Sequence, residues 1–380
     1  MKQHLHELLS AALQPLLAGQ DLALPAVQLD ATKDAKFGDF QTNLALQLAK
    51  PLRLPPRQVA ERLVKALPPS PRIARVEIAG PGFINFFLAP GAFQAVVAEV
   101  LAAGEHYGRD DSGGKGRVMV EFVSANPTGP MHVGHGRGAA YGDALAKLLA
   151  ATGWTVWREY YINDAGRQTD VLAVSVWLRY LQLTGQTLNF PLRAYPAGYI
   201  YRAAEKLRAR YGDAAFRIPG VDLAAVPPDP VAAEDASAAD AEAIKRQQEK
   251  NLDQWIGLAR QGLGERYAEV RRAALDDQLD TIRQTLDAFS VRFDGWSSEA
   301  ELVAGGLVQK ALQRLADAGL TYEQDGALWM RTESFGDEKD RVLVKADGAA
   351  TYYCNDLAYH VHKLDRDWPN LIDVWGADHH

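Results

Sequence analysis

The sequence predicts an α/β protein: a doubly wound parallel sheet with insertions, preceded by a small α+β domain. Three observations carry this. From residue 117 the chain alternates a β-rich run, a Gly/Pro loop, an Ala/Leu-rich helix, a second β-rich run and a second helix. That rhythm belongs to parallel strands joined by crossover helices. Residues 1–108 instead place helices around one hairpin, and the polar run Gly108-Arg-Asp-Asp-Ser-Gly-Gly-Lys-Gly116 separates the two patterns. A boundary there gives domains 1–108 and 109–380, within the two to three that 380 residues allow at about 100–200 residues each.

In the first domain, Leu5, Leu8, Leu9, Leu13 and Leu16 form one side of an amphipathic helix. Glu7 and two histidines interrupt it, so it is no signal peptide. Thr42 can cap a helix reaching residue 50, and Pro56 opens another that stops before Pro68. Val76 and Ile78 alternate, Gly80-Pro-Gly82 turns the chain, and Ile84, Phe86 and Leu88 alternate again, which predicts a hairpin. A helix over 92–103 closes the domain.

In the second domain, strands are expected at 117–123 and 154–162, with helices at 134–151 and 165–183. Residues 186–255 lose the rhythm. With Pro191, Pro196, Pro219 and Val226-Pro-Pro-Asp-Pro230, then an Ala/Asp/Glu run over 232–243, they read as an insertion with a mobile acidic segment. A helix over 256–289, a strand at 291–293 and a helix over 299–318 follow. Hairpins are expected over 321–331, turning at Asp325 and Gly326, and over 341–353, turning at Asp347 and Gly348. Residues 371–375 make a last strand.

Composition excludes several classes. Cys354 is the only cysteine, so no internal disulfide, Cys-rich zinc site or CxxC centre exists, which suits a reducing cytoplasm. No run approaches 18 apolar residues, so no membrane-spanning helix is expected. The net charge of −7 announces no nucleic acid, although residues 50–75 hold seven basic residues and one acid, Glu61. Such a patch can meet phosphate despite an acidic total, because salt screens charges beyond about 10 Å. Taken alone, the run is better explained as a solvated helix face.

Several motif-like strings fail. The run from Gly108 resembles a P-loop, but an extra glycine displaces its lysine and Gly116 replaces the required Ser/Thr. The His132/His135, His360/His362 and His379/His380 pairs each lack a third ligand, and no metal site is expected. The informative segment is Glu121-Phe-Val-Ser-Ala-Asn-Pro-Thr-Gly-Pro-Met-His-Val-Gly-His135. A strand ends, a loop crosses its carboxyl edge, and a helix starts near Gly134, the place where open α/β sheets bind ligands. The helix N-terminus offers N–H groups to phosphate. His132 and His135 can add donors there, and Gly134 lets a flat ring lie on the backbone. The alternative is that the histidines only cap the helix.

His132-Val-Gly-His135 resembles the HIGH signature of class I aminoacyl-tRNA synthetases, and the string from Ser124 to His135 resembles arginyl-tRNA synthetase. Tyr161-Ile-Asn-Asp-Ala-Gly-Arg-Gln168, Phe335-Gly-Asp-Glu-Lys-Asp-Arg-Val-Leu-Val344, Tyr352-x-x-x-Asp356 and Val374-Trp-Gly-Ala-Asp-His-His380 are similar to that family, in its order. Phe37-Gly-Asp-Phe-Gln-Thr-Asn43 resembles the motif of its first domain.

The resemblance implies a Rossmann-like fold of the HUP, class I synthetase type. It implies ATP-dependent activation of L-arginine and transfer to tRNA(Arg), with Mg²⁺ carried by ATP and no permanent cofactor. His132 and His135 would be catalytic. Glu121, Ser124, Asn126, His135, Tyr352 and Asp356 would bind arginine. A guanidinium is planar with five donors, so a carboxylate beside an aromatic wall suits it, and Asp356 with Tyr352 can supply both. A strand aromatic and a helix cap is the alternative for that pair. His132, Gly134, His135, Gly376, Asp378 and His379 would hold ATP, with Ala125, Asn126, Pro127, Thr128, Gly129, Pro130, Met131, His132, Val133, Gly134 and His135 as the HIGH region. Phe37, Phe40, Gln41 and Asn43 would contact tRNA, although Phe37 and Phe40 in a core, with Gln41 and Asn43 as caps, explain that block too. A cytoplasmic monomer is expected.

Some family members carry lysine where this sequence has Gly129, in place of a KMSKS loop. No KMSKS and no helical anticodon-binding stretch precede His380, so the resemblance implies an N-terminal portion whose sheet is incomplete at its C-terminal side. Two alternatives stay open: a non-catalytic tRNA-binding paralogue, or another class I synthetase. The cysteinyl enzyme would need zinc-binding cysteines that are absent.

Overall fold

The computed structural model describes residues 1–18, 26–114, 116–233 and 237–376. They form two compact units, Met1–Arg109 and Asp110–His380.

The first unit runs α1 (Lys2–Leu17), β1 (Asp30–Ala31), β2 (Phe40–Thr42), α2 (Leu44–Leu52), α3 (Pro56–Ala66), β3 (Ile73–Ala79), β4 (Phe83–Leu88) and α4 (Pro90–Ala103). Helix α1 buries Leu5, Leu8, Leu9 and Leu13 against Leu44, Val59, Leu63, Ile84 and Phe86. The expected hairpin is β3–β4, and it sits in an antiparallel sheet ordered β1-β2-β4-β3. Strands β1 and β2 were not anticipated, being only two and three residues long. Helix α2 starts at Leu44 with Asn43 at its N-cap, while the Thr42 hydroxyl accepts from the Leu44 amide at 3.3 Å.

The second unit opens with β5 (Arg117–Glu121), α5 (Val133–Ala151), β6 (Thr155–Ile162), α6 (Arg167–Leu183), α7 (Gly198–Tyr211), α8 (Ala238–Leu263), α9 (Arg266–Ala288) and β7 (Gly295–Ser298). It continues with α10 (Glu299–Ala304), α11 (Leu307–Asp317), β8 (Thr321–Gln324), β9 (Ala327–Met330), β10 (Arg341–Val344), α12 (Tyr352–Asp365) and β11 (Asn370–Asp373). The main sheet is parallel and ordered β11-β5-β6-β7. Strand order therefore reverses between β5 and β11, and their carboxyl ends make the switch point where such sheets bind ligands.

Several expectations need correction. Residues 186–255 are largely helical where irregular chain was expected: α7 and α8 pack Ile200, Leu207, Leu252 and Trp255 against Trp177 and Tyr180 of α6 in a helical core shared with α9. The acidic run becomes helix from Ala238, and its residues 234–236 lie outside the described residues. The helix expected over 256–289 is two, broken where Gly264 takes φ +55°. The helix expected over 299–318 breaks at Gly305 and Gly306, the latter at φ +75°. Val291 and Phe293 pack into the core, with the Phe293 ring 4.5 Å from that of Phe122, while Arg292 is exposed, and the strand follows at Gly295–Ser298. The hairpin at Asp325 and Gly326 forms. The one over 341–353 forms only around its turn: Lys345 donates to Ala349 and Thr351 to Leu343 across Asp347 and Gly348, and Val344 bridges to Ala350, but β10 takes β9 as its strand partner and Thr351 caps α12.

Candidate active site

The site starts where β5 ends. Val123 (φ +68°) and Ser124 (φ +38°) are both left-handed, a costly conformation that persists only where surrounding contacts fix it. Those contacts are present. The Ser124 hydroxyl donates to Glu121 Oε1 at 2.9 Å and accepts from the Tyr161 amide at 3.1 Å. Farther along, Tyr160 donates to the carbonyl of buried Ala125, and Tyr199 to that of Thr128. Asn126 is exposed and donates to Gln168 of α6 at 3.0 Å. Pro127 is buried, Gly129 and Met131 are half-buried, Pro130 is exposed, and Val133 projects into solvent.

His132 is the N-cap of α5, and its Nδ1 accepts from the Gly134 amide at 3.1 Å. His135 Nδ1 accepts from the His132 amide at 3.3 Å. A nitrogen that accepts is unprotonated, so in the neutral rings this network assigns the proton to Nε2. The rings stack 3.8 Å apart, and burial, then His132, lowers the His135 pKa. Both histidines therefore cap the helix and still present an N–H donor outward. Gly134 makes this possible, since a Cβ there would lie 2.9 Å from the His132 ring.

Beside this loop the sheet register sets Asp373, Glu121 and Glu159 in one row across β11, β5 and β6. Helix α12 and Arg366 at its C-cap supply the counter-charge. Lys363 Nζ lies 2.6 Å from Glu121 Oε2 and 2.6 Å from Asp373 Oδ1, His360 Nε2 lies 3.0 Å from Asp373 Oδ2, and Arg366 donates to Glu159 at 2.7 Å. Burial raises the Glu121 pKa despite Lys363. Burial opposes the Lys363 charge, yet the two carboxylates hold its pKa above the ordinary lysine value.

Tyr352 and Asp356 share a face of α12 one turn apart, as expected. Tyr352 is exposed and Asp356 half-buried. Sequence reasoning missed their neighbours. Glu299, first residue of α10 and directly past the end of β7, is buried and accepts from Asn355 of α12 at 3.0 Å. Its pKa is raised by burial and by the charges of Asp164 and Asp356, against the Asn355 hydrogen bond. The Tyr161 hydroxyl, whose pKa is raised by burial first, feels Glu299, Asp356 and Glu121 together. A strand placed at 295–298 would have exposed Glu299 as a carboxyl-edge residue. Tyr161, Tyr352, Glu299 and Asp356 thus form an acidic, aromatic cluster. Gly376 is exposed past β11, and Asp378 and His379 lie outside the described residues.

In the first unit, part of the Phe37–Asn43 block is structural. Gly38 (φ +84°) passes so close to β4 that a Cβ would lie 2.5 Å from the Phe86 carbonyl oxygen, and Asp39 accepts from the Leu88 amide at 2.8 Å. Phe40 packs partly into the core and Gln41 lies opposite Asn85 in the sheet. Phe37 remains exposed, and Asn43 accepts from Gln47 at 2.9 Å without capping a backbone amide. Among the described residues no helix is long and apolar enough to cross a membrane.

Two family models match the chain: "Arginyl tRNA synthetase N terminal domain" over residues 3–88, and "tRNA synthetases class I (R), catalytic domain" over residues 96–206 and 245–372. An arginine–tRNA ligase of Thioalkalivibrio sulfidiphilus is 49% identical across 100% of this chain. One of Coxiella burnetii is 46% identical across 100%. The chain spans 64% of the length of each of these relatives. The solved structure of Thermus thermophilus arginyl-tRNA synthetase is similar at 27% identity and a TM-score of 0.57, covering 95% of this chain and 52% of that one.

Proposed function

The chain belongs to the class I arginyl-tRNA synthetase family, and on that premise we propose that it carries the amino-acid-activating part of an arginine–tRNA ligase. The substrates are L-arginine and ATP, with Mg²⁺ entering on the ATP phosphates, and tRNA(Arg) is the acceptor. The arginine carboxylate attacks the α-phosphorus of ATP, pyrophosphate leaves, and arginyl-adenylate forms. The 3′-terminal adenosine hydroxyl of tRNA(Arg) then takes the arginyl group and AMP leaves.

The chain's residues act by position and charge. Asp356 and Glu299 receive the guanidinium, with Tyr352 and Tyr161 as its aromatic walls. Glu121 and Ser124 receive the α-ammonium. The outward Nε2–H groups of His132 and His135, with the free amides of α5, donate to phosphoryl oxygens as charge builds in the transition state. Asn126 and His135 hold the arginine carboxylate near the α-phosphate, and Gly376, Asp378 and His379 line the adenosine side. Residues 1–108 contact tRNA through Phe37, Gln41 and Asn43, helped by the basic run over 50–75.

The observation that carries this reading is the pair of outward histidine donors beside an acidic cluster at the sheet's switch point. The native full-length protein, given each of the 20 amino acids with ATP, is expected to form an aminoacyl-adenylate with L-arginine alone. Adenylate formation with another amino acid, or with none, overturns it.

A further inference from the structure

Helix α12 carries Asp356, His360 and Lys363 one turn apart. His360 Nδ1 lies 2.9 Å from the Asp356 carbonyl oxygen, and Nε2 lies 3.0 Å from Asp373 Oδ2. A carbonyl only accepts, and an ionised carboxylate only accepts, so both ring nitrogens must donate. His360 is then an imidazolium, and it stands 3.9 Å from Asp356 Oδ1. The His360–Asp373 hydrogen bond, against burial, also raises the His360 pKa.

Lys363 is only 1% exposed. Its Nζ bridges Asp373 and Glu121 at 2.6 Å each and lies 4.6 Å from the centre of the Tyr359 ring. An unbroken path therefore runs Asp356–His360–Asp373–Lys363–Glu121. The groups facing His360 are Asp356, Tyr359 and Lys363 from its own helix and Asp373 from β11, with Glu121 of β5 behind Lys363. Three carboxylates face two cations, so the path carries one net negative charge.

We propose that Lys363 and His360 are positioning residues joining the two ends of the amino-acid pocket: Lys363 fixes the Glu121 carboxylate, and His360 holds a proton that is released when arginine enters. This rests on the arginine reading above. Arginine is net +1 at neutral pH: it brings its guanidinium to Asp356 and its ammonium to Glu121, while its carboxylate lies off this path. The guanidinium arriving beside the His360 imidazolium disfavours that like charge, and the His360 proton is lost to solvent. By linkage, arginine binds more weakly as pH falls through the His360 pKa.

Calorimetry of L-arginine binding to the native full-length protein, near pH 7 in phosphate and in Tris, counts the protons exchanged. The wild type is expected to release a measurable fraction of a proton. His360→Gln is expected to release none, and its arginine Kd to stay flat over about pH 6–8, where histidine titrates. Lys363→Met is expected to raise the arginine Kd about tenfold or more, as loss of a buried partner does, while the ATP Kd stays within about twofold. Lys363→Arg recovers part of the loss. If Lys363→Met does not fold, Lys363→Arg alone decides: its bulkier head group must shift the arginine Kd without shifting that for ATP. A wild type that binds arginine with no proton release, or unchanged release in His360→Gln, overturns the role of His360. An unchanged arginine Kd in folded Lys363→Met overturns that of Lys363. A wild type that binds no arginine overturns the functional reading, and this inference with it.

Discussion

Glu121 and Glu159 face each other in register on adjacent strands, yet they live in opposite surroundings. Glu159 is fully buried and accepts from Trp157, Ser297 and both Nη groups of Arg366. Burial alone would raise its pKa, but the Arg366, Ser297 and Trp157 hydrogen bonds lower it. Glu121 has Ser124 and Lys363, shares that lysine with Asp373, and keeps a raised pKa. A carboxylate with every lone pair answered is architecture. One answered by a hydroxyl and a lysine shared with a second carboxylate, at the carboxyl edge of the sheet, is where a further cation is wanted.

The largest expected effect tests the structural side. Arg366→Met strands a buried carboxylate and should cost about 3–5 kcal/mol of stability, read from the denaturation midpoint. A loss below about 1 kcal/mol, the range of a surface pair, would place Glu159 with ordinary exposed ion pairs. On the other side of the row, His132→Ala should slow adenylate formation by about 10²–10³. His132→Asn sharpens this, because asparagine caps a helix well but cannot reproduce the outward Nε2–H. It should keep wild-type stability and remain slow, whereas recovered activity would reduce the histidine to a cap.

Asp356→Ala removes a charge-assisted contact from a half-exposed carboxylate. It should raise the arginine KM by roughly ten- to a hundredfold, from about 1.5–3 kcal/mol, with little change for ATP. In the first unit, the Gln41→Ala/Asn43→Ala pair should weaken tRNA binding by about 1–3 kcal/mol across a salt series. An intact fold with unchanged affinity would make that block wholly structural.

The smallest effect is a difference of sign. The folded-state pKa of Glu159 lies below its unfolded value, so its ionisation stabilises the fold above that unfolded value. The contribution is lost as pH falls through the lowered one. Glu121 is the reverse: its raised pKa makes ionisation at neutral pH oppose folding, a cost that fades as pH falls. Glu159→Gln should therefore destabilise at pH 7, while Glu121→Gln should be neutral or slightly stabilising, as paired melting curves would read.

What the sequence revealed follows the same division. The loop from Glu121 to His135 was legible because its signal is local: a strand end, a Pro/Gly crossing and two histidines at a helix start. Tyr352 and Asp356 were legible as one turn of helix. Lys363 was not, because a lysine near a helix end reads as a surface charge until two strands bring Glu121 and Asp373 to it. His360 was legible only as half of an incomplete metal pair. Glu299 was hidden by placing a strand at 291–293, where apolar Val291 and Phe293 pack as core. The helical lobe was misread because prolines break its opening stretch, while the apolar faces of α7 and α8 find their partners only in each other's company and that of α6 and α9.

The central claim is that Glu121, unlike Glu159, is kept for the substrate ammonium. Arginine-dependent exchange of pyrophosphate into ATP by Glu121→Gln, in the native full-length protein, tests it most directly. The arginine KM should rise by about ten- to a hundredfold, with the ATP KM and the melting temperature near wild type. An unchanged arginine KM would contradict the claim and make Glu121 a second structural carboxylate.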